Sequence, residues 1–315
     1  MWMKAFIVAA ALAAASPTIA AEPPPPPLSE TKERISWEQM EVLVAEPMRL
    51  VAAGDMAAAD VALDRLLEER RRQYGAGSIE VADTLVSFMI LTYARDRRVE
   101  ALAYGPRVLD AVRMAWGSDH LEYALLLTDL VMMDLRTDGD AGPEAEAGLI
   151  EAYRIRRDRL GELHKETIST LIYLGEVQGL RSRTDGDINK AMPAIATLQK
   201  AIADADQIRE PGYTDAVWAR RVLASTFARN GALGPAMQTF DKTMELAAEQ
   251  QADWFFQASN FKDALHEGGF EAEAAEIERA LIEALGLPPN APAGGTNEPD
   301  ASRGQASEVT GVAPP

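Results

Sequence analysis

Apolar residues recur through the middle of the chain with the spacing of amphipathic helices. Ala59, Leu63, Leu66 and Leu67 fall at i, i+4, i+7 and i+8, which places them on one face of a helix. Short stretches with Gly, Pro or Asp interrupt this pattern, and Gly supplies the positive φ that a helix end favours. We find no sustained alternation of apolar and polar residues, so the pattern predicts an all-α chain without a sheet.

The interruptions divide the pattern into about twelve helices arranged as six pairs. The pairs are predicted at roughly residues 30–73, 78–115, 120–160, 165–208, 214–249 and 253–285. Gly75, Gly117 and Gly161, each preceded by an aromatic residue or Leu, set a period of about 42–44 residues. Because one helix pair cannot bury its apolar face alone, neighbouring pairs must stack, and we expect a solenoid.

The two ends of the chain have a different composition from the middle. Residues 1–21 carry Lys4, a short apolar run and small residues suited to cleavage after Ala20 or Ala21, which predicts a signal peptide and a periplasmic or secreted protein. An uncleaved membrane anchor is the alternative. Residues 22–29 predict a Pro-rich linker, residues 30–286 the repeat domain, and residues 287–315 a disordered tail rich in Pro, Gly and Ala.

Charge and cysteine usage exclude several classes of function. The chain holds 31 basic and 49 acidic residues, for a net charge of −18. Nucleic acids and anionic lipid surfaces both require an excess of Lys and Arg, so neither is an expected partner. The chain has no cysteine, which excludes disulfides, thiolate nucleophiles and a lipid-modified N-terminal cysteine.

The fifth pair contains a pattern that resembles a known family. Leu223, Phe227, Gly231, Ala236 and Phe240 match the alternation of large, aromatic and small residues in tetratricopeptide-repeat (TPR) proteins, and the first and sixth pairs keep part of it. The longer period in the middle resembles the kinesin-light-chain type of repeat, and the signal segment suggests a secreted or periplasmic bacterial member. The resemblance implies a right-handed superhelix of about six helix pairs, whose first helices line a concave groove for a protein partner.

Carrying the family's groove positions onto this sequence gives a candidate partner-binding surface of apolar, aromatic and Arg side chains. The residues are Asp83, Val86, Ile90 and Tyr93 in the second pair, Leu125, Thr128, Met132 and Arg136 in the third, Ser169, Ile172 and Glu176 in the fourth, and Trp218, Arg221, Ser225 and Arg229 in the fifth. Tyr, Trp, Met and Arg are enriched at protein interfaces. A register error of one residue would instead turn many of them into the core.

The groove departs from the kinesin-light-chain pattern in one respect. Members of that type often place Asn on the groove to hold a peptide backbone, whereas the matching positions here are Ser87, Asp129, Tyr173 and Val222. The resemblance therefore favours a more apolar partner, such as a helix laid in the groove, over an extended peptide. The basic clamp of chaperone-binding members is also not recognisable.

Candidate catalytic and metal-binding residues are few. His120 and His164 follow the glycine turn in successive repeats, so they are either metal ligands or caps of the next helix, and the cap is the simpler interpretation. The sequence has no H-E-x-x-H motif, phosphate-binding loop or G-x-S-x-G motif. We therefore predict no enzymatic activity, no cofactor and no metal.

Two hypotheses for function follow. The first is a non-enzymatic interaction scaffold of the bacterial cell envelope that binds a protein or peptide, without a stable membrane anchor after signal cleavage. The second is a self-assembling structural or regulatory accessory subunit without a dedicated groove. Uneven charge favours the second, because residues 241–283 hold eleven acidic and three basic residues. This acidic end would meet either a basic partner or the basic face Arg154, Arg156, Arg157 and Arg159 of another copy, and ordinary solvent-facing helices are the simpler interpretation.

Overall fold

The computed structural model describes residues 37–138, 142–183, 187–210 and 212–285, and every regular element in those ranges is a helix. The all-α prediction and the six helix pairs are confirmed. The predicted signal peptide, Pro-rich linker and tail lie outside the described residues. None of the described helices is both long and apolar enough to cross a lipid bilayer.

Two helices form each pair, except that the second helix of the second pair is divided in two. The first three pairs are α1 (Trp37–Ala53) with α2 (Met56–Tyr74), α3 (Ile79–Ala94) with α4 (Arg98–Ala103) and α5 (Gly105–Trp116), and α6 (Leu121–Asp138) with α7 (Pro143–Leu160). The last three are α8 (Lys165–Ser182) with α9 (Met192–Ala205), α10 (Asp215–Arg229) with α11 (Leu233–Glu249), and α12 (Trp254–Glu267) with α13 (Glu271–Ala284). A short 3₁₀ helix, Ile188–Ala191, precedes α9.

The chain divides into two compact units, Met1–Val42 and Leu43–Pro315. Of the first unit, only residues 37–42 are described, and they form the start of α1. The other twelve α-helices described here belong to the second unit.

One turn recurs with the same backbone geometry after α2, α5 and α7. Gly75, Gly117 and Gly161 have φ values of 97°, 92° and 92°, and ψ values of 155°, 160° and 163°. Only Gly adopts this region without strain. The N–H of each donates to the carbonyl four residues earlier, so each Gly also caps the preceding helix. The shared geometry is the physical basis of the period found in the sequence.

The core runs along the stack as a series of buried clusters between neighbouring pairs. One cluster joins α1 to α6, a second joins α6 to α10, and a third joins α10 to α13. In the third cluster the small side chain of Ala236 is completely buried, and the ring of Phe240 stacks on Phe261 at 4.2 Å between centroids. The predicted alternation of small and large residues in the fifth pair therefore packs as expected.

Two glycines within α8 allow neighbouring helices to approach closely. A Cβ atom at Gly175 would lie 2.5 Å from Cγ of Leu198 on α9, and one at Gly179 would lie 2.6 Å from Oγ1 of Thr226 on α10. These distances are well below van der Waals contact, so both positions require Gly. The fourth pair is therefore held against α10 by close backbone packing as well as by apolar side chains.

Candidate functional site

The first helices of the later pairs form one continuous surface. Between α8 and α10, Ser169 donates from Oγ to Oδ2 of Asp215 at 2.7 Å, and between α10 and α12, Arg229 donates from Nε to Oε2 of Glu267 at 2.8 Å. In the described chain the second helices α9, α11 and α13 make no comparably close approach to one another. Because the first helices are closer together, they lie on the inner side of the bend in the stack. We call the surface around Asp129, Tyr173, Trp218, Arg221 and Phe256 the inner face.

Aromatic side chains follow one another across the inner face. The rings of Tyr173 and Trp218 meet edge to face, with centroids 4.7 Å apart. Arg221 lies about one helical turn after Trp218, and its guanidinium carbon lies 5.7 Å from the centroid of the Phe256 ring. Phe256 is 52% exposed. Tyr173 and Trp218 are partly buried against the core, so the inner face presents one exposed ring and two partly exposed rings from three successive first helices.

Two further aromatic residues extend this exposed region at the start of α12. Trp254 and Phe255 are both exposed, and their rings meet at 5.9 Å between centroids. The carboxylate of Asp253 caps the helix by accepting from the N–H of Phe256 at 3.0 Å. The cap fixes where α12 begins, and so fixes the position of these rings.

A buried arginine from the second helix α7 connects α6 to α8 beneath the inner face. Arg156 donates from Nη1 to Oγ1 of Thr128 at 3.2 Å and to Oγ1 of Thr170 at 2.5 Å. Each Thr hydroxyl in turn donates to a carbonyl of its own helix, that of Ala124 or of Glu166. The Nε atom of Arg156 lies 3.7 Å from Oε2 of Glu166. The network uses the donors of Nη1, whereas the Nε atom of Arg156 is enclosed without a hydrogen-bond partner.

Burial favours the neutral forms of two acidic groups on the inner face, the carboxyl of Asp129 and the phenol of Tyr173. Burial raises the pKa of Asp129 to about 6, although the positive charges of Arg156 and Arg136 act in the opposite direction. Burial, and then the negative charge of Glu176, raises the pKa of Tyr173 to about 12. Burial therefore moves the pKa of Asp129 toward neutral pH.

The predicted groove residues separate into an accessible set and a buried set. Asp83, Leu125 and Arg136 are exposed, and Val86, Ile90, Tyr93, Met132, Ser169, Glu176, Trp218 and Arg229 are partly buried. Thr128, Ile172, Arg221 and Ser225 are buried, with Ile172 and Ser225 completely inaccessible.

Burial removes Thr128, Ile172, Arg221 and Ser225 from the candidate surface, which corrects their prediction as groove residues. Thr128 is occupied by the Arg156 network, and Ile172 packs in the cluster that joins α6 to α10. Among the four Asn-equivalent positions, Val222 is also buried, whereas Ser87, Asp129 and Tyr173 are accessible. The predicted basic face of α7 loses Arg156, which is only 4% exposed, whereas Arg154, Arg157 and Arg159 are exposed.

The two repeat histidines act as helix caps. His120 accepts through Nδ1 from the N–H of Glu122 at 3.2 Å, and His164 accepts through Nδ1 from the N–H of Glu166 at 3.3 Å. Of the two interpretations left open by the sequence, the capping role is confirmed. In the part of the chain that the structure describes, no three His, Asp or Glu side chains are grouped as metal ligands would be.

Phe256 is the residue of the inner face that the sequence analysis did not select. Its signal in the sequence is the run of three aromatic residues, Trp254 to Phe256, directly after a helix-capping Asp. Three adjacent aromatic residues on a helix cannot all face the core, because successive residues are about 100° apart around its axis. At least one must be exposed, and the structure exposes all three.

Solved structures share this arrangement of helix pairs. Two crystal structures of a Podosopora anserina putative kinesin light chain with nearly identical TPR-like repeats, one of them a point variant, each match with a TM-score of 0.51 and 13% identity. Both matches cover 68% of this chain, and they cover 96% of the variant chain and 98% of the other. The fold is a TPR-like helical superhelix.

BtubC (BKLC) from P. vanneervenii also matches, with a TM-score of 0.45 and 16% identity over 69% of this chain and 91% of that chain. No protein-family model and no curated protein sequence matches the chain. The two matches with a TM-score of 0.51 establish the TPR-like fold. TPR-like folds typically serve as scaffolds for protein interaction, and they are typically not enzymes.

Proposed function

We propose that this protein is a non-enzymatic scaffold of the bacterial cell envelope that binds a partner protein through its inner face. The observation that carries the proposal is the series of Tyr173 and Trp218, which are partly exposed, and Phe256, which is exposed, one ring from each of three successive first helices. Aromatic residues of this kind are enriched at the energetic centres of protein interfaces. The envelope location rests on the composition of residues 1–21.

An amphipathic helix is the form of partner that this face fits best. Helix-in-groove recognition relies on apolar side chains at i, i+3, i+4 and i+7, which need apolar surface at intervals along a groove. The rings of the inner face supply that surface. An extended peptide needs amide side chains that hold its backbone, and of the four Asn-equivalent positions none is Asn and one, Val222, is apolar and buried.

Site-specific photo-crosslinking in cells tests the proposal. Leu125 on α6 and Ile150 on α7 form a matched pair, because both are exposed aliphatic residues, 40% and 50% accessible, on the first and second helices of one pair. A photoreactive residue in place of Leu125 should capture one dominant envelope protein, and the same residue in place of Ile150 should capture little. Equal capture at both positions, or no capture at Leu125, would refute binding through the inner face.

The Trp218→Ala variant gives a second test of the same surface. Trp218 is partly buried against the cluster between α6 and α10, so its loss should cost about 1–2 kcal/mol of unfolding free energy, below the cost for a fully buried Trp. Crosslinking at Leu125 should nevertheless fall at least tenfold. If thermal unfolding shows a loss of about 3–5 kcal/mol, Trp218 is a core residue and cannot report on binding.

Self-assembly is the second candidate, and the exposed rings of Trp254 and Phe255 on the last described pair favour it. Exposed apolar residues at the end of a repeat stack are a common site of association between copies. Sedimentation equilibrium at low and high salt measures the mass directly. A monomer at both salt concentrations would exclude this candidate, and a dimer abolished by Trp254→Ser would support it.

A further inference from the structure

Trp254 occupies a core position of α12 that the described chain leaves partly uncovered. It precedes Ala258, Phe261 and Leu265 by four, seven and eleven residues, so the four side chains lie on one face of the helix. The other three are buried in the cluster that joins α10 to α13, whereas Trp254 is 42% exposed. The apolar face of α12 therefore extends one turn beyond the side chains that cover it.

The last helix, α13, ends in the same way and at the same end of the pair. Leu285 follows the buried Leu281 by four residues and continues its face, but it is 55% exposed. Because α12 and α13 each have 14 residues and are joined by residues 268–270, the start of α12 and the end of α13 lie together in an antiparallel hairpin. We call Trp254, its neighbour Phe255 and Leu285 the end patch.

The sequence that follows α13 predicts that the chain turns back toward the end patch. The backbone of Leu285 is still in the right-handed helical region, and Gly286 comes next. Gly at this position commonly adopts the left-handed conformation that ends a helix, and the apolar residue after it commonly packs on the last helical turn. That apolar residue is Leu287. The next residue, Pro288, cannot continue the helix.

Residues 288–292 have the composition of a polyproline II segment. Proline stands at 288, 289 and 292, and because this helix has about three residues per turn, Pro289 and Pro292 lie on one face. Aromatic surfaces bind such segments well, since the helix is preformed and loses little conformational entropy on binding. The rings of Trp254 and Phe255, with centroids 5.9 Å apart and planes at 76°, provide an aromatic surface of this kind.

The segment is long enough to reach these rings. The axes of packed helices are about 8–10 Å apart. A polyproline II helix advances about 3.1 Å per residue, so the seven residues from Leu285 to Pro292 span about 22 Å. This length is about twice the separation between two packed helices, so the prolines can lie across the start of α12.

We propose that residues 287–292 dock on the end patch of their own chain, with Leu287 against the last turn of α13 and the prolines against Trp254 and Phe255. The contact covers the open end of the apolar stack and shields both rings from a second copy. The inference does not depend on the proposed function, because it concerns a different surface from the inner face. The predicted disorder of the tail then begins after Pro292 and not at residue 287.

Two pairs of Pro→Ser substitutions in the full chain test the contact. Pro289→Ser with Pro292→Ser, the docking variant, removes both rings from one face of the segment, and Pro299→Ser with Pro314→Ser is the matched control further along the tail. Two-dimensional NMR follows the Trp254 Nε1–H resonance, which is assigned by its loss in Trp254→Phe. The docking variant should shift this resonance, and the control should leave it in place.

A peptide of sequence GLPPNAPA, which copies residues 286–293, tests the same surface in trans. For a dissociation constant on the order of 0.1 mM and an effective concentration of the tethered segment on the order of 1 mM, the chain's own segment fills about nine-tenths of the sites. The peptide should therefore bind the docking variant about tenfold more tightly than the original chain. Addition of Trp254→Ser to the docking variant should abolish binding.

Four results would overturn the inference. The Trp254 resonance could be unchanged in the docking variant, or it could shift equally in the control. The peptide could bind the original chain as tightly as it binds the docking variant. A Trp254 resonance that changes with protein concentration in the original chain would assign the end patch to a second copy. Crosslinking at Leu125 reports on the inner face alone, so this inference and the proposed function can fail separately.

Discussion

Replacing Asp129 with Asn should stabilise the protein at neutral pH. The carboxylate of Asp129 is partly buried on α6 and faces Arg156 of α7, with Arg136, Glu122 and the phenol of Tyr173 also close enough to interact electrostatically. Burial raises the pKa of Asp129 by more than the two arginines lower it, so the pKa rises from its ordinary value of 3.8 to about 6. The folded chain thus holds a proton at this site more tightly than the unfolded chain does.

The magnitude follows from the difference between the two pKa values. A difference of about two units corresponds to about 3 kcal/mol. Because the folded-state pKa is the higher one, stability is greatest below about pH 4 and falls as the pH rises through about 6. Asn cannot ionise, so Asp129→Asn should gain up to about 3 kcal/mol at pH 7.5 and about 1 kcal/mol at pH 4.5. Solvent screening of the partly exposed group lowers both figures.

Urea denaturation at pH 4.5, 6.0 and 7.5 measures the effect. Asp64→Asn is the control, since Asp64 is an exposed carboxylate, with 67% of its side chain accessible, that pairs with Arg107 on the surface. The gain from Asp129→Asn should grow with pH, whereas Asp64→Asn should change stability by less than about 1 kcal/mol at all three values. An equal gain at every pH, or a loss at pH 7.5, would show that the arginines dominate this site and would refute the reasoning.

Further predictions concern packing, turn geometry and the internal network, and urea or thermal unfolding checks each. Gly175→Ala should destabilise the protein by about 1–3 kcal/mol, because the new Cβ would meet Leu198 at 2.5 Å. Gly234→Ala is its control and should be neutral or slightly stabilising, since no atom lies within 4 Å of that position. Gly161→Ala should cost about 1–3 kcal/mol at its φ of 92°. Arg156→Met should lower the free energy of unfolding by about 2–4 kcal/mol at pH 7.5 and by less at pH 4.5, where the Asp129 carboxyl is protonated in the folded chain. A loss that does not depend on pH would show that Arg156 and Asp129 are not coupled.

The arrangement of helices could be predicted from the sequence because local signals define it. Gly75, Gly117 and Gly161 mark the ends of helices through their backbone conformation, which depends on neighbouring residues only. The apolar spacing then gives each helix one buried face. Together these signals were sufficient for the pairing of the helices, but not for the division of one second helix into α4 and α5.

The candidate site was predicted less well because orientation within a helix depends on tertiary packing. One residue of register rotates a side chain by about 100°, so Ile172 was placed on the surface while its neighbour Tyr173 is the residue that contacts Trp218 there. Arg156 belonged to a basic run that has the composition of a solvated helix face. Only the position of α7 between α6 and α8 shows that this arginine is enclosed.

The identical turns at Gly117 and Gly161 have a consequence for the engineering of this protein. A segment cut at these two glycines begins and ends in the same backbone geometry, so a second copy could be inserted with its ends already aligned. Each repeat contacts mainly its nearest neighbours, and the inserted pair would meet faces like those it meets now. Insertion of helix pairs at this turn would therefore lengthen the surface that the protein offers to a partner.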